Sequence, residues 1–336
     1  MSPIVPRGVF AATIAIVMLA LASTPSPVAA RRRAAPTPAP TIRAIPTPFP
    51  TATPLSEAAR LARLQADLDA IARTAPGRLG IAVFDVSTGR RFAVRGDEAF
   101  PLASVVKLAI ATVAFRLSDQ HKLDLDERVA VTRGDLRHDS DIADDHPHGA
   151  SLRLWELIRA MLVASDNTAS DVVLRRVGGP SVVNEVLRRL KVRNLTIRKS
   201  EAELAADVRA KRAFARGGEN VGTPNAIASL LVGISTQRFT LVDATNEFLL
   251  DLDDVVTGRG RLRAGLPATI RLAHKTGTSA TIDGTTDATN DAGLVTLPDG
   301  RRLAIVALLA ESGSDEPMRE AILASVARAV ASAYAP

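Results

Sequence analysis

The sequence predicts an α/β (α+β) fold in which an antiparallel sheet, assembled from both ends of the folded region, carries a large helical insertion. Strand-like runs come first at "LGIAVFDV" (79–86) and "RFAV", then again late at "IRLAHKTG" (270–277), "AGLVTL" (292–297) and "RRLAIVALLA" (301–310). The chain between them has a helical period. Turn residues at "STGR" and at Pro298-Asp299-Gly300 join neighbouring runs tightly, which makes those strands antiparallel.

Composition bounds the answer. With 336 residues, 46% hydrophobic and 23% charged, the chain has enough apolar material for one large core or two small ones. The absence of cysteine excludes disulfides, thiol nucleophiles and cysteine-ligated metal sites. Of the 42 Lys and Arg residues, five (Arg7, Arg31, Arg32, Arg33 and Arg43) precede residue 55, leaving 37 against 36 Asp and Glu. A folded region so near neutrality argues against nucleic acid as a partner, because phosphate binding needs a concentrated positive face.

Taken in order, residues 1–30 read as an export signal: Arg7, an apolar stretch from Val9 to Ala22, and small residues at Val28-Ala29-Ala30. The protein is therefore expected to be exported, to the periplasm, the cell envelope or the medium. Membrane attachment is expected only if the signal stays uncleaved. Residues 31–54 contain seven prolines and read as a semi-extended tether. Residues 55–336 form the expected catalytic domain. Its first helix shows Leu61, Leu64, Leu68 and Ile71 at helical spacing; the opening strands follow.

Leu154, Leu157, Ile158, Met161 and Leu162 share one face of a middle helix, with further helices at about 168–177, 181–190 and 223–234 and a final one at about 317–333. An α/β lobe from 55–100 and 262–336, with a helical lobe from 101–261, places a cleft at the junction.

Three short strings fall where that cleft should lie. Ser104-Val105-Val106-Lys107 starts a helix, Ser165-Asp166-Asn167 follows the helix ending "LRLWELIRAMLVA", and Lys275-Thr276-Gly277 lies on a strand. Singly each is weak; in this order they are informative. Together they resemble the signature of the class A serine β-lactamases, within the larger group that includes penicillin-binding proteins. The resemblance covers residues 55–336 and implies a five-stranded antiparallel sheet with flanking helices and an inserted all-helical lobe. The intervals from Ser104 to Ser165 and from Ser165 to Glu201 support class A, and "RKSEAELA" around Glu201 is similar to the family's Ω-loop segment. "TGRGRLRAGLP" (257–267) and "AHKTGT" (273–278) also resemble family strings.

The chemistry explains the grouping. A serine hydroxyl needs a neighbouring base, and a spacing of three puts Ser104 and Lys107 on one helical face. The backbone N–H groups of Ser104 and Thr278 would form an oxyanion hole at the positive end of a helix dipole. The resemblance implies that Ser165 relays a proton to the leaving nitrogen, that Asn167 binds the substrate's amide side chain, and that Lys275 and Thr276 bind its carboxylate. It also implies that Glu201 activates the deacylating water. Either Lys107 or Glu201 can serve as acylation base. Arg261 is assigned to the substrate carboxylate, with Arg263 as the fallback.

Some positions depart from the family pattern. Ala202 and Ala205 stand where many members have proline and a water-holding asparagine, and an arginine–aspartate clamp is replaced by Lys199 with Asn220. Glu203 competes with Glu201. Asp166 is expected to hold its loop, and His274 to be a structural strand residue. "RHDSDIADDHPHG" (137–149) is expected to be a polar loop rimming the cleft, not a zinc site.

The resemblance implies no cofactor, a small-molecule β-lactam substrate and a monomer. A D,D-peptidase or transpeptidase with slow deacylation, or a non-catalytic peptidoglycan-binding relative, are the alternatives.

Overall fold

The computed structural model describes residues 55–209 and 220–334; the expected export signal and tether lie outside them. Ser56 caps α1 (Glu57–Thr74) by accepting the Ala59 N–H, and the leucines at helical spacing turn inward. Next come β1 (Arg78–Asp85), β2 (Arg91–Val94) and the two-residue β3 (Phe100–Pro101). A 3-10 turn, Ala103–Val106, leads into α2 (Lys107–Asp119), whose Lys107–Phe115 stretch is buried on every side. A helix apolar all round belongs at the centre of a core.

Around α2 lie β4 (Arg128–Val131), α3 (Asp141–Asp145), β5 (Ala150–Arg153), α4 (Leu154–Val163), α5 (Asn167–Arg176), α6 (Gly179–Arg189) and β6 (Leu195–Thr196). The chain continues through α7 (Glu201–Arg209), β7 (Val221–Gly222), α8 (Pro224–Ser235), α9 (Val242–Asp253) and α10 (Leu262–Gly265). It closes with β8 (Arg271–Thr278), β9 (Thr281–Ile282), β10 (Thr285–Thr286), β11 (Thr289–Thr296), β12 (Arg302–Ala310) and α11 (Glu316–Tyr334).

The main sheet has five antiparallel strands in the order β2-β1-β12-β11-β8. Both faces are covered, so the central strands are apolar almost throughout. Leu79, Ile81, Val83, Leu303, Ile305 and Leu309 pack with α1, α10 and α11 on one side; Ala82, Phe84, Val306 and Leu308 face α8 and the inserted lobe on the other. The inserted lobe is not wholly helical. It holds two small antiparallel pieces, β3-β7-β6 and β4-β5, and α8 lies against the main sheet.

β11 starts earlier than its apolar run suggests, because Asn290 and Asp291 are fully buried strand residues whose side chains hydrogen-bond in the interior. No helix among the described residues is long and apolar enough to cross a membrane.

Candidate active site

Ser104 lies in the 3-10 turn at the head of α2, not within the α-helix itself. The turn starts from Ala103 at φ 45° and is held from two sides. Asn290 on β11 donates to the carbonyls of Pro101 and Leu102, and Leu102 N–H donates to Asn220 O. Strand β8 passes directly against it. A Cβ at Gly277 would stand 2.6 Å from Leu102 O and 3.0 Å from the backbone nitrogens of Ser104 and Val105, so only glycine permits this approach.

β8 is one of the main sheet's two edge strands. Because Ser279 N–H bonds Ala288 O, the alternation of antiparallel pairs leaves the Thr278 N–H on the open edge rather than in the ladder. The Ser104 hydroxyl, half-buried, has no hydrogen-bond partner among the described residues and opens on a cavity of about 1060 Å³.

Lys107 is fully buried. Its ammonium donates to Ser165 O at 2.6 Å and Asn167 Oδ1 at 2.7 Å, with Ser165 Oγ at 3.4 Å and Glu201 Oε1 at 3.5 Å. Burial lowers its pKa, opposed by Glu201, Asp166 and Asp171. Two short hydrogen bonds use two protons whether the amine is charged or neutral. The third position, a proton toward Glu201 or a lone pair, sets its charge. The Lys107 backbone N–H donates to Ser104 O, while among the described residues no hydrogen bond joins the Ser104 hydroxyl to the Lys107 ammonium.

Ser165, at φ 62°, presents its carbonyl and hydroxyl toward Lys107. Asp166 is buried and accepts from Ser140 Oγ, Ile142 N and Ala169 N, which fixes the loop and caps α5. Asn167 donates its amide to His138 O. The 137–149 segment supplies Arg137, His138, Asp139, Ser140, Asp141 and Asp144 to the cavity wall.

Glu201 begins α7 and lines the cavity with Ala202, Leu204, Ala205 and Val208. Glu203, its rival, is exposed and accepts from Ser200 N and Oγ in a capping arrangement pointing elsewhere. Asn220 accepts from the N–H groups of Arg198 and Lys199 and donates to Lys199 O, while the Lys199 ammonium pairs with Asp207. The neck of the loop is therefore joined chiefly by amide hydrogen bonds.

Asp171 went unnoticed in the sequence. It accepts from Glu201 N at 2.6 Å, from Ala202 N at 3.1 Å and from Arg137 Nε at 2.7 Å. Its signal was its place one helical turn beyond Asn167, on the same face of α5.

On the opposite wall stand Thr257, Thr276, Thr278 and Arg261. Thr257 Oγ1 lies 2.5 Å from Thr276 Oγ1, and Arg261 donates to Thr278 Oγ1 at 2.7 Å. Lys275 does not reach the cavity surface. It is fully buried, donates among the described residues only to Thr276 O, and its pKa lies well below the ordinary lysine value through burial and the nearby Lys107 charge. Arg263 is spent on the carbonyls of Leu266, Pro267 and Ile270, away from the cavity. His274 pairs with the buried Asp291 at 2.8 Å, and Asp291 also accepts from Leu262 N. No group of three or more His, Asp or Glu residues among those described could hold a metal ion.

With this arrangement in view, comparison is decisive: the model of the beta-lactamase enzyme family matches residues 63–334. The chain belongs to that family. The β-lactamase VEB-1 of Pseudomonas aeruginosa is 28% identical over 255 residues, covering 75% of this chain and 83% of that relative. Among solved structures, a β-lactamase from Chitinophaga pinensis aligns at TM-score 0.75 with 34% identity, over 80% of this chain and 98% of its own. An ancestral class A β-lactamase aligns at TM-score 0.74 with 32% identity, over 81% and 100%. The fold is thus that of the class A β-lactamases, as the three sequence motifs imply.

Proposed function

We propose that this β-lactamase opens the ring of a small-molecule β-lactam through an acyl-enzyme on Ser104 and hydrolyses it with a water activated by Glu201. One observation carries the reading: Ser104, Ser165, Asn167, Glu201, Thr276 and Thr278 converge on one cavity, with Lys107 buried immediately behind it. In acylation the Ser104 oxygen attacks the lactam carbonyl, and its proton passes to Lys107, or through a water to Glu201. The N–H groups of Ser104 and Thr278 hold the oxyanion. Collapse breaks the C–N bond, and Ser165 delivers a proton to the departing nitrogen.

Water then attacks the ester, Glu201 takes its proton, and the hydroxyl of Ser104 is restored. Lys275 supports the carboxylate end from beneath the surface, and Thr276 and Thr278 meet the carboxylate with hydroxyls. Export fits the amino-terminal pattern.

The test is to incubate the full protein with benzylpenicillin and follow intact mass and drug together. Drug loss with turnover is expected. No adduct and no loss overturns the reading. A persistent Ser104 adduct would instead establish a penicillin-binding peptidase acting on cell-wall peptides. Ala205 favours that second reading, since it leaves an apolar wall beside Glu201.

A further inference from the structure

Arg261 is nearly fully buried, yet it lines the cavity end where a substrate carboxylate would lie. Most of its donors are committed. Nε donates to Glu320 Oε1 at 3.0 Å, and Nη1 donates to Gly277 O and Asn290 O. Nη2 donates to Thr278 Oγ1 and lies 3.7 Å from Glu316 Oε1. A guanidinium has five N–H groups; four are engaged in these hydrogen bonds, and the remaining Nη2 hydrogen, with Glu316 at ion-pair distance, is what is left for an incoming anion. Arg261 acts through Thr278: that hydroxyl accepts from the arginine, which turns its own proton toward the cavity.

Glu316 and Glu320, one turn apart on α11, also line this end of the cavity. Glu320 reaches Arg261 across Gly260, where a Cβ would stand 2.1 Å from Glu320 Oε2. Lys275, beneath this wall, is biased by burial toward its neutral form, and Arg319, the neighbour of Glu320 on α11, is engaged with Thr289 Oγ1 and Ser314 O. The carboxylate end therefore combines hydroxyl donors with little net positive charge and two carboxylates at its rim.

We propose, building on the β-lactam reading, that Glu320 is a specificity-determining residue. By occupying Arg261 it loosens the grip on a substrate carboxylate, and with Glu316 it favours β-lactams carrying a positive charge beside that carboxylate. Unlike charges attract across a few ångströms of partly screened space, whereas an uncharged substituent gains nothing.

Cephalothin and cephaloridine provide the test, because they share an acyl side chain and differ in an uncharged acetoxymethyl against a cationic pyridiniomethyl group beside the carboxylate. Steady-state KM and kcat are measured for the wild type, Glu320→Gln and Gly260→Ala, the last displacing the Glu320 carboxylate without removing it. Both variants are expected to raise KM for cephaloridine and lower it for cephalothin, each about two- to fivefold, the scale of a partly exposed charge pair. Shifts in the same direction, or none, with both drugs still hydrolysed, overturn the inference and leave the β-lactam reading intact. If drug is acylated but not released, acylation rate constants give the same ratio. If neither drug acylates Ser104, both fall together.

Discussion

The carboxylate of Asp171 caps the helix that carries Glu201, accepting the Glu201 and Ala202 N–H groups while Arg137 holds its second oxygen. Asn167, one turn earlier on α5, holds Lys107. One rigid turn of α5 thus sets the separation of amine and carboxylate. Replacing Asp171 by Ala removes the cap, at about 1 kcal/mol of stability. It also frees Glu201 to drift, and misplacements of that kind cost about 100-fold in rate. Deacylation is expected to slow by about 10- to 100-fold with acylation nearly unchanged. Mass spectrometry after a benzylpenicillin pulse would show the adduct accumulating; unchanged turnover would remove Asp171 from the positioning of Glu201.

Gly277 sets the distance between β8 and the serine turn. Its Cβ would meet backbone, which cannot swing aside as a side chain can. Gly277→Ala is expected to lower the acylation rate at least about tenfold and to cost about 1–3 kcal/mol of stability. Stopped-flow acylation and urea unfolding read the two effects. Wild-type acylation would show that the close approach of strand and turn is not needed.

Lys275 binds protons less readily folded than unfolded, because burial and Lys107 lower its pKa well below 10.5. Between the folded and unfolded values the unfolded chain holds the extra proton, so unfolding free energy rises with pH across that window. Lys275→Met lacks this slope. The wild type minus variant difference in unfolding free energy should therefore increase from neutral pH toward 10. Tyr334, whose pKa burial pushes up to about 12, acts in the opposite direction at higher pH but is common to both proteins and cancels. A flat difference would mean that the amine is as protonated folded as unfolded.

Ala205 offers no polar atom beside Glu201. Ala205→Asn adds an amide at the cavity wall, where it can hold a water. Deacylation is expected to quicken by about tenfold or more, within the range that positioned proton transfer commands. The decay of the acyl-enzyme mass measures it. A slower decay would show that the wall accommodates the substrate's side chain and not the water.

The sequence by itself determined an antiparallel sheet drawn from both ends of the folded region with a helical insertion, because alternation and helical period survive in any context that buries one face, and the family resemblance implied five strands. It also singled out Ser104 and Lys107, because a reactive pair in an apolar run stands out from its neighbours, and pointed to Ser165, Glu201 and Lys275 through the motifs they share with the family. It gave no access to the small paired strands, whose two-residue lengths carry no period. Nor could it reveal which groups meet across distant segments. Asp171 on the head of α7, Glu320 on Arg261 and Gly277 against the serine turn join residues 30, 59 and 173 positions apart. Those contacts follow from how helices and strands pack, and packing is decided by the whole core at once.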